Sequence, residues 1–303
     1  MPIPSDNLPG GDWGARPTGP KRSVFPNYAA TADAEESEPQ DDGVRTTVPA
    51  AATAEPSAEA ARALARSFVY RVLAAAFADP DADTWHWLAS AETGTAWANA
   101  WTQVGEGTGP VPAFREGEFE AFRDAYAAVF GHAARGPCPI NEIEYGEPHA
   151  DPLYQPQRLA DLAGFYRAFG MELAEQADER PDHLSVELEF LCVLTAKEAW
   201  AWSQQPPGEG PAICRDAQRK FLREHLGRWA PAFARRLAGL AAHPTLQALA
   251  GCLAAFVTAE CRLLGVEPGP AHLGLRPVDD ALERLCDSCG LASALPGAVR
   301  PPA

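Results

Sequence analysis

The sequence has little to suit it to nucleic acid, to a membrane or to an oxidising compartment. Lysine and arginine together number 25 against 41 aspartates and glutamates, a formal net charge of -16. Binding to a polyanion relies on clustered cations that release counterions, so this balance argues against nucleic acid and fits a basic partner. Cysteine is sparse and odd in number, seven in 303 residues, which does not read as a disulfide framework. No basic segment followed by an apolar run opens the chain, so no signal peptide is expected. The best apolar stretch, residues 246–257, falls short of the ~20 residues that a membrane span requires. A cytoplasmic protein is the expectation.

Catalytic signatures are missing as well. There is no Gly-x-Ser-x-Gly elbow, no P-loop, no Gly-x-Gly-x-x-Gly and no pair of histidines flanking a glutamate in zincin spacing. Serine hydrolases, nucleotide-binding proteins and zinc proteases need those arrangements. Alternating strand patterns with hairpin turns are absent, and no repeat of fixed period is found.

What is present is helical. Residues 1–56 are rich in Pro, Gly, Ala, Asp and Glu, carry the acidic run "ADAEESEPQDD" and show no apolar period. Such a segment cannot bury enough surface to offset its ordering entropy, and a disordered tail is expected. Ser57 then offers an N-cap with Glu59 in the first turn, and Leu64, Phe68, Val72 and Leu73 share one face. Asp79-Pro80 ends that helix. A tryptophan-rich segment follows, with Trp85, Trp87, Trp97 and Trp101. Two further helices close on Gly131 and Gly170, residues suited to the C′ position. After Pro181 a helix should run to about Ser203, broken by "QQPPGEGP", with three more near 211–227, 230–242 and 244–264. These periods define an all-α fold: a tail over 1–56, one helical domain over 57–290 and a disordered end over 291–303.

Three places carry candidate chemistry. In "ERPDHLSVELEFL", residues 179–191, His183 and Glu187 are four apart and would project from one helical face. That spacing suits a metal pair, yet zinc usually needs three or four protein ligands, and His132, Cys138 or His149 would have to complete it. No metal and no cofactor is expected. Asp182-His183 could serve as an acid/base pair, but no nucleophile stands in a recognisable setting. Alternatively Asp182 caps the helix. The second place is Cys286-Asp-Ser-Cys289, a C-x-x-C without the strand-to-helix junction of a redox motif, and it is read as an incidental reduced pair. The third is the linker over 131–156, with Arg135, Cys138, Glu142, Glu144 and Tyr145. Loops of that length inside a compact domain are uncommon unless functional or disordered.

"RGPCPINEIEYG", "LADLAGFYRAFGMEL" and "ERPDHLSVELEFL", in that order, resemble the TorD/DmsD/NarJ family of redox-enzyme maturation chaperones. The form of the loop is closest to members serving type II enzymes of the dimethyl sulfoxide reductase family. The resemblance covers roughly residues 60–265, and the family's Asp-His pair at a helix start matches Asp182 and His183. It implies an all-helical cytoplasmic chaperone without catalytic turnover. Such a protein binds the twin-arginine signal peptide and the apo catalytic subunit of a molybdopterin oxidoreductase, and holds it for cofactor insertion before export. A signal peptide presents two arginines before an apolar helix, so its receptor needs carboxylates beside an apolar groove. The candidate binding residues are Glu142, Glu144, Tyr145, Asp182, His183 and Glu187. Glu189, two residues from Glu187, points away from it and is expected to matter less. The alternative is a metal-dependent or general-base hydrolase using His183 and Glu187. Neither the client nor the choice between monomer and dimer is specified by the sequence.

Overall fold

The computed structural model describes residues 25, 57–104, 111–131, 136–146, 154–174 and 179–276. Among them are nine α-helices: α1 (Ala58–Phe77), α2 (Ala82–Ala89), α3 (Ala91–Val104), α4 (Phe119–Phe130), α5 (Tyr154–Ala168), α6 (Leu184–Ser203), α7 (Gly210–Glu224), α8 (Leu226–Leu240) and α9 (Pro244–Leu264). No strand occurs among the described residues, only two isolated antiparallel bridges. The all-α expectation holds.

Helix ends follow local chemistry. The Ser57 hydroxyl accepts the N–H of Ala60 and starts α1, because the first turn has donors with no helical partner. Asp81 does the same for α2 through the N–H of Thr84 at 2.9 Å. Gly131 and Gly170 both take positive φ, 82° and 75°, where a side chain would be strained. Of the last three sequence-predicted helices, those near 211–227 and 230–242 appear as α7 and α8 with shifted ends, and that at 244–264 appears as α9 with the expected bounds.

Helix α6 is the central element. Leu184, Val186, Leu188, Phe190, Leu191, Val193 and Leu194 are all buried, so it is apolar on nearly every side, as a helix enclosed by others must be. Its most extensive pairing is with α1, while α8 pairs with α9. Phe190 of α6 and Phe221 of α7 meet with ring centroids 4.7 Å apart. Each such ring buried contributes roughly 1.5–3 kcal/mol.

Between α1, α6, α7 and α9 lies a polar knot that no local pattern of residues announces. Arg66 of α1 is buried. Its Nε and Nη2 donate to the two oxygens of Glu260 at 2.7 Å each. Its Nη1 donates to Glu198 at 2.8 Å, and Nη2 also to Gln218 at 2.5 Å. Tyr70 donates to Glu260 at 2.9 Å, and Arg215 to Glu198 at 2.6 Å. Burial alone would raise the Glu198 pKa, but Arg66, Gln218 and Arg215 outweigh it and hold the carboxyl below its ordinary value.

Helices α8 and α9 depart from simple helical rules. Pro231 lies inside α8 and removes the N–H that would bond the carbonyl of Gly227. That carbonyl instead accepts the N–H of Gly269 at 2.9 Å. A Cβ at residue 269 would lie 2.0 Å from the Arg228 carbonyl oxygen, so only glycine approaches closely enough. Helix α9 spans 21 residues, its most apolar window of 18 has a mean hydropathy of 1.3, and by length and composition it could cross a membrane. It is longer than the apolar run seen in the sequence. Half of that window is buried inside the fold.

Of the expected tail, Phe25 is described, and it lies in the core against Tyr166. The remainder of residues 1–56, His132, Arg135, His149, residues 277–303 and the Cys286/Cys289 pair lie outside the described residues.

Candidate functional site

The segment 136–146 is a strap held along both edges. On one side Glu142 N–H donates to the Asp182 carbonyl at 2.9 Å and Leu184 N–H to the Ile140 carbonyl at 3.0 Å. Asn141 and His183 form a bridge there. On the other side Gly146 N–H donates to Gly274 and Arg276 N–H to the Glu144 carbonyl, at 3.0 and 2.8 Å. Apart from one tight turn over Glu142–Glu144, where Tyr145 N–H donates to the Glu142 carbonyl at 3.0 Å, the segment is extended, and these edge bonds satisfy much of its backbone. The long linker is therefore ordered over this stretch, and it delivers Glu142, Glu144 and Tyr145 to the start of α6.

Tyr145 is buried. Its hydroxyl donates to the Pro139 carbonyl at 2.8 Å, closing the strap on itself. Its ring lies 5.2 Å from that of Trp229 on α8. Glu144 is half-buried.

The start of α6 differs from the expected one. The helix begins at Leu184 and its N-cap is His183, whose Nδ1 accepts the Ser185 N–H at 3.2 Å. Asp182 is not the cap. Its carboxylate turns to the strap, accepting the Ile143 N–H at 3.2 Å and the Arg180 guanidinium at 3.1 Å. Burial raises the Asp182 pKa, and Arg180 offsets part of the rise. Burial, helped by the charge of Arg180, lowers His183 to about 4. His183 is therefore neutral near pH 7, as a capping acceptor must be.

Beneath the strap three acidic side chains share one volume. Glu142 is 3% exposed, and Asp182 and Glu187 are 0% exposed. Glu142 receives Arg158 of α5 at 2.6 Å on one oxygen and His225 Nδ1 at 2.9 Å on the other. Arg158 also donates to the Glu224 carbonyl. Among the described residues the donor to Glu187 is the Trp229 indole N–H, 3.3 Å from each oxygen. Burial, then the charge of Glu142, push Glu187 well above the ordinary carboxylate range. His225 is fully buried and its Nε2 finds no partner among the described residues.

The six sequence-predicted residues therefore assemble in one corner, although Glu142, Tyr145, Asp182, His183 and Glu187 face inward. His183 and Glu187 do not meet as a metal or base pair: one caps its own helix, the other faces Trp229. Among the described residues no group of three or more His, Cys, Asp or Glu is placed to hold a metal ion. Arg158, His225 and Trp229 were not foreseen. His225 is 83 positions from Glu142 and Trp229 is 42 from Glu187, so no local pattern links them.

Among the described residues the fold is all-helical and its acidic corner holds an excess of buried carboxyl groups, and likeness to known proteins places such a chain among the assembly chaperones. The family model for the nitrate reductase delta subunit matches residues 90–235, from α3 into α8. Three relatives are named assembly chaperone proteins. That for perchlorate reductase from Dechloromonas aromatica (strain RCB) is 35% identical over 37% of this chain and 48% of its own length. That for selenate reductase from Thauera selenatis is 36% identical over 46% and 68%. That for dimethyl sulfide dehydrogenase from Rhodovulum sulfidophilum is 35% identical over 54% and 65%. The chain thus spans about half of the first relative and about two thirds of the other two. No solved structure is a significant match. The chain belongs to this family of redox-enzyme assembly chaperones.

Proposed function

We propose that this protein is a cytoplasmic, non-catalytic maturation chaperone for the catalytic subunit of a molybdopterin oxidoreductase. It holds the apo subunit, through its twin-arginine signal peptide, until the cofactor is in place. Kinship with named assembly chaperones, together with the match of residues 90–235 to the nitrate reductase delta subunit family, is the observation that carries this reading. The electrostatics support it. Three acidic groups sit close to one another with cations of the chain's own supplying the balance, an arrangement that a second guanidinium would stabilise.

Access is the constraint. Arg158 is the outermost partner of Glu142, its side chain 12% exposed. A client arginine would enter by exchanging with Arg158, and its charge would favour the ionised form of Glu187, whose proton passes to solvent. Isothermal calorimetry with a synthetic twin-arginine peptide tests this. Glu142→Gln, Asp182→Asn and Glu187→Gln should each weaken binding about ten- to a hundredfold, the worth of a shielded charge-assisted hydrogen bond. Glu189→Gln should change it less than threefold, a rough allowance for a half-buried carboxylate on another face of α6 from Glu187. Heats measured in buffers of different ionisation enthalpy should show a proton released on binding. Unchanged affinity in all three inner variants would place the peptide elsewhere.

A further inference from the structure

The two edges of the strap are held very differently. Toward α6 it pairs with Asp182 and Leu184, both fully buried, and the Asp182 carboxylate takes the Ile143 N–H as well. Its outer edge pairs with the segment that follows α9. That segment is tied down at Gly269, whose N–H donates to the Gly227 carbonyl freed by Pro231. It then turns, with Leu273 N–H donating to the Pro270 carbonyl at 3.1 Å, and meets the strap as an antiparallel bridge of Leu275 to Tyr145. The Gly146 N–H to Gly274 and the Arg276 N–H to Glu144 make that pairing. Gly274 is exposed, and Leu273, Leu275 and Arg276 are only half-buried.

Local chemistry accounts for what sits on this edge. Arg276 precedes a proline in the sequence, which favours extended backbone. Its guanidinium lies where a Cβ on residue 146 would stand, so Gly146 makes room for it, and its Nε donates to the Tyr145 carbonyl at 3.4 Å. Leu275 packs against the rim of the core. The edge therefore receives a short extended segment with an apolar side chain opposite Tyr145 and a guanidinium one residue on. Adding a strand to an exposed edge is a common way to bind a peptide: the main chain supplies affinity and alternate side chains supply selectivity. Tyr145 also joins this edge to the acidic corner, because its ring lies 5.2 Å from that of Trp229, the donor to Glu187.

We propose that the outer edge of the strap is a docking site for an extended client segment carrying an arginine beside an apolar residue, and that residues 273–276 occupy it in cis as an exchangeable strand. The nature of the client rests on the function proposed above; the exchangeable edge does not. Gly269 stays seated while residues 270–276 swing away, so the displaced strand remains tethered and competes at high effective concentration. Local opening of this kind starts where burial is shallow and hydrogen bonds are few.

Amide hydrogen exchange on the full chain, read by NMR, tests this residue by residue. Without peptide, the Gly146 and Arg276 N–H groups should exchange roughly tenfold or more faster than those of Glu142 and Leu184 on the inner edge, after correction for intrinsic rates. Equal protection of the two edges would overturn the proposal. A saturating twin-arginine peptide should then produce opposite changes. Arg276 N–H loses its acceptor and speeds up roughly tenfold, while Gly146 N–H passes to the peptide and slows. Bound peptide with both rates unchanged, or both slowed together, overturns the docking site. Arg276→Pro, first shown to melt as the parent does, removes the N–H that donates to Glu144 and should bind the peptide roughly tenfold more tightly by relieving the tethered competitor. A twin-arginine peptide that binds neither chain counts against the chaperone reading, and a peptide of residues 270–276 then judges the edge. At millimolar concentration it should slow Gly146 exchange in Arg276→Pro, and no slowing there overturns the exchangeable strand.

Discussion

Two buried charge clusters lie toward opposite ends of α6, around Glu187 and Glu198, and they are built to opposite specifications. In the knot around Arg66 every strong group is matched: two arginines face two glutamates, and Gln218 and Tyr70 take up remaining positions at 2.5 and 2.9 Å. In the corner beneath the strap, Glu142, Asp182 and Glu187 crowd together, Glu187 has one weak donor, and His225 Nε2 has none among the described residues. A fully satisfied network specifies one packing, whereas a part-satisfied one is costly unless something else completes it. The first cluster ties four helices together. The second is where a partner gains most by arriving.

The contrast between the clusters is most sharply broken at Arg66. Arg66→Met leaves Glu198 and Glu260 buried without their shared counter-charge, and should cost about 3–5 kcal/mol, as removing one member of a buried pair does. Each kcal/mol moves the midpoint by roughly 2–4 °C in a domain of this size, so a loss of roughly 10 °C or more is expected by thermal melting. Arg66→Lys should recover little, because an ammonium cannot reproduce the two-pronged contact with Glu260. A melt within about 2 °C of the parent, under 1 kcal/mol on that scale, would show the knot to be ornamental.

How much of this could be read from residues alone differs between the two clusters. Asp182, His183, Glu187 and the strap residues Glu142, Glu144 and Tyr145 stood out because charged and aromatic residues interrupt apolar runs, and because the quoted motifs resemble a known family. Helix ends at Ser57, Gly131 and Gly170 were legible from capping chemistry. The Arg66 knot was not, since Arg66 and Glu260 are 194 positions apart and an arginine on a helix normally reads as a solvated face. Burial of the candidate residues was equally hidden: spacing tells which face a side chain shares, never whether a neighbouring helix covers it. The misplaced cap at Asp182 has the same origin, because the strap that draws its carboxylate away is 39 residues upstream.

The next expected effect is a pH dependence at the corner. His183 has a folded pKa of about 4 against 6.5 unfolded. Between those values the unfolded chain binds a proton that the folded chain does not, so stability falls as pH falls through that window. The shift corresponds to about 3 kcal/mol in all. His183→Asn keeps a capping acceptor and removes the titration. The parent should be the more stable at pH 7.5, and its advantage over the variant should shrink by about 3 kcal/mol by pH 4, measured by urea unfolding. Parallel pH profiles for the two chains would mean that His183 is not the capping acceptor in solution.

The smallest effect at neutral pH is expected at Glu187, and it tests whether the surplus corner tolerates what the knot does not. A glutamine has nearly the shape of a protonated glutamate and presents both a donor and an acceptor, so Glu187→Gln should shift stability at pH 6 by less than about 1 kcal/mol. The sign of the pH effect is the reverse of that at His183. The folded pKa of Glu187 lies well above its unfolded value of 4.5, so above pH 4.5 the unfolded chain gives up a proton that the folded chain keeps. Stability of the parent is therefore lost as pH rises toward the folded pKa, and the glutamine variant is spared that loss. Melting curves at pH 5, 7 and 9 should show the variant gaining steadily on the parent. A variant several kcal/mol less stable at every pH would mean that Glu187 is ionised and paired like Glu198, and the difference between the two clusters would vanish.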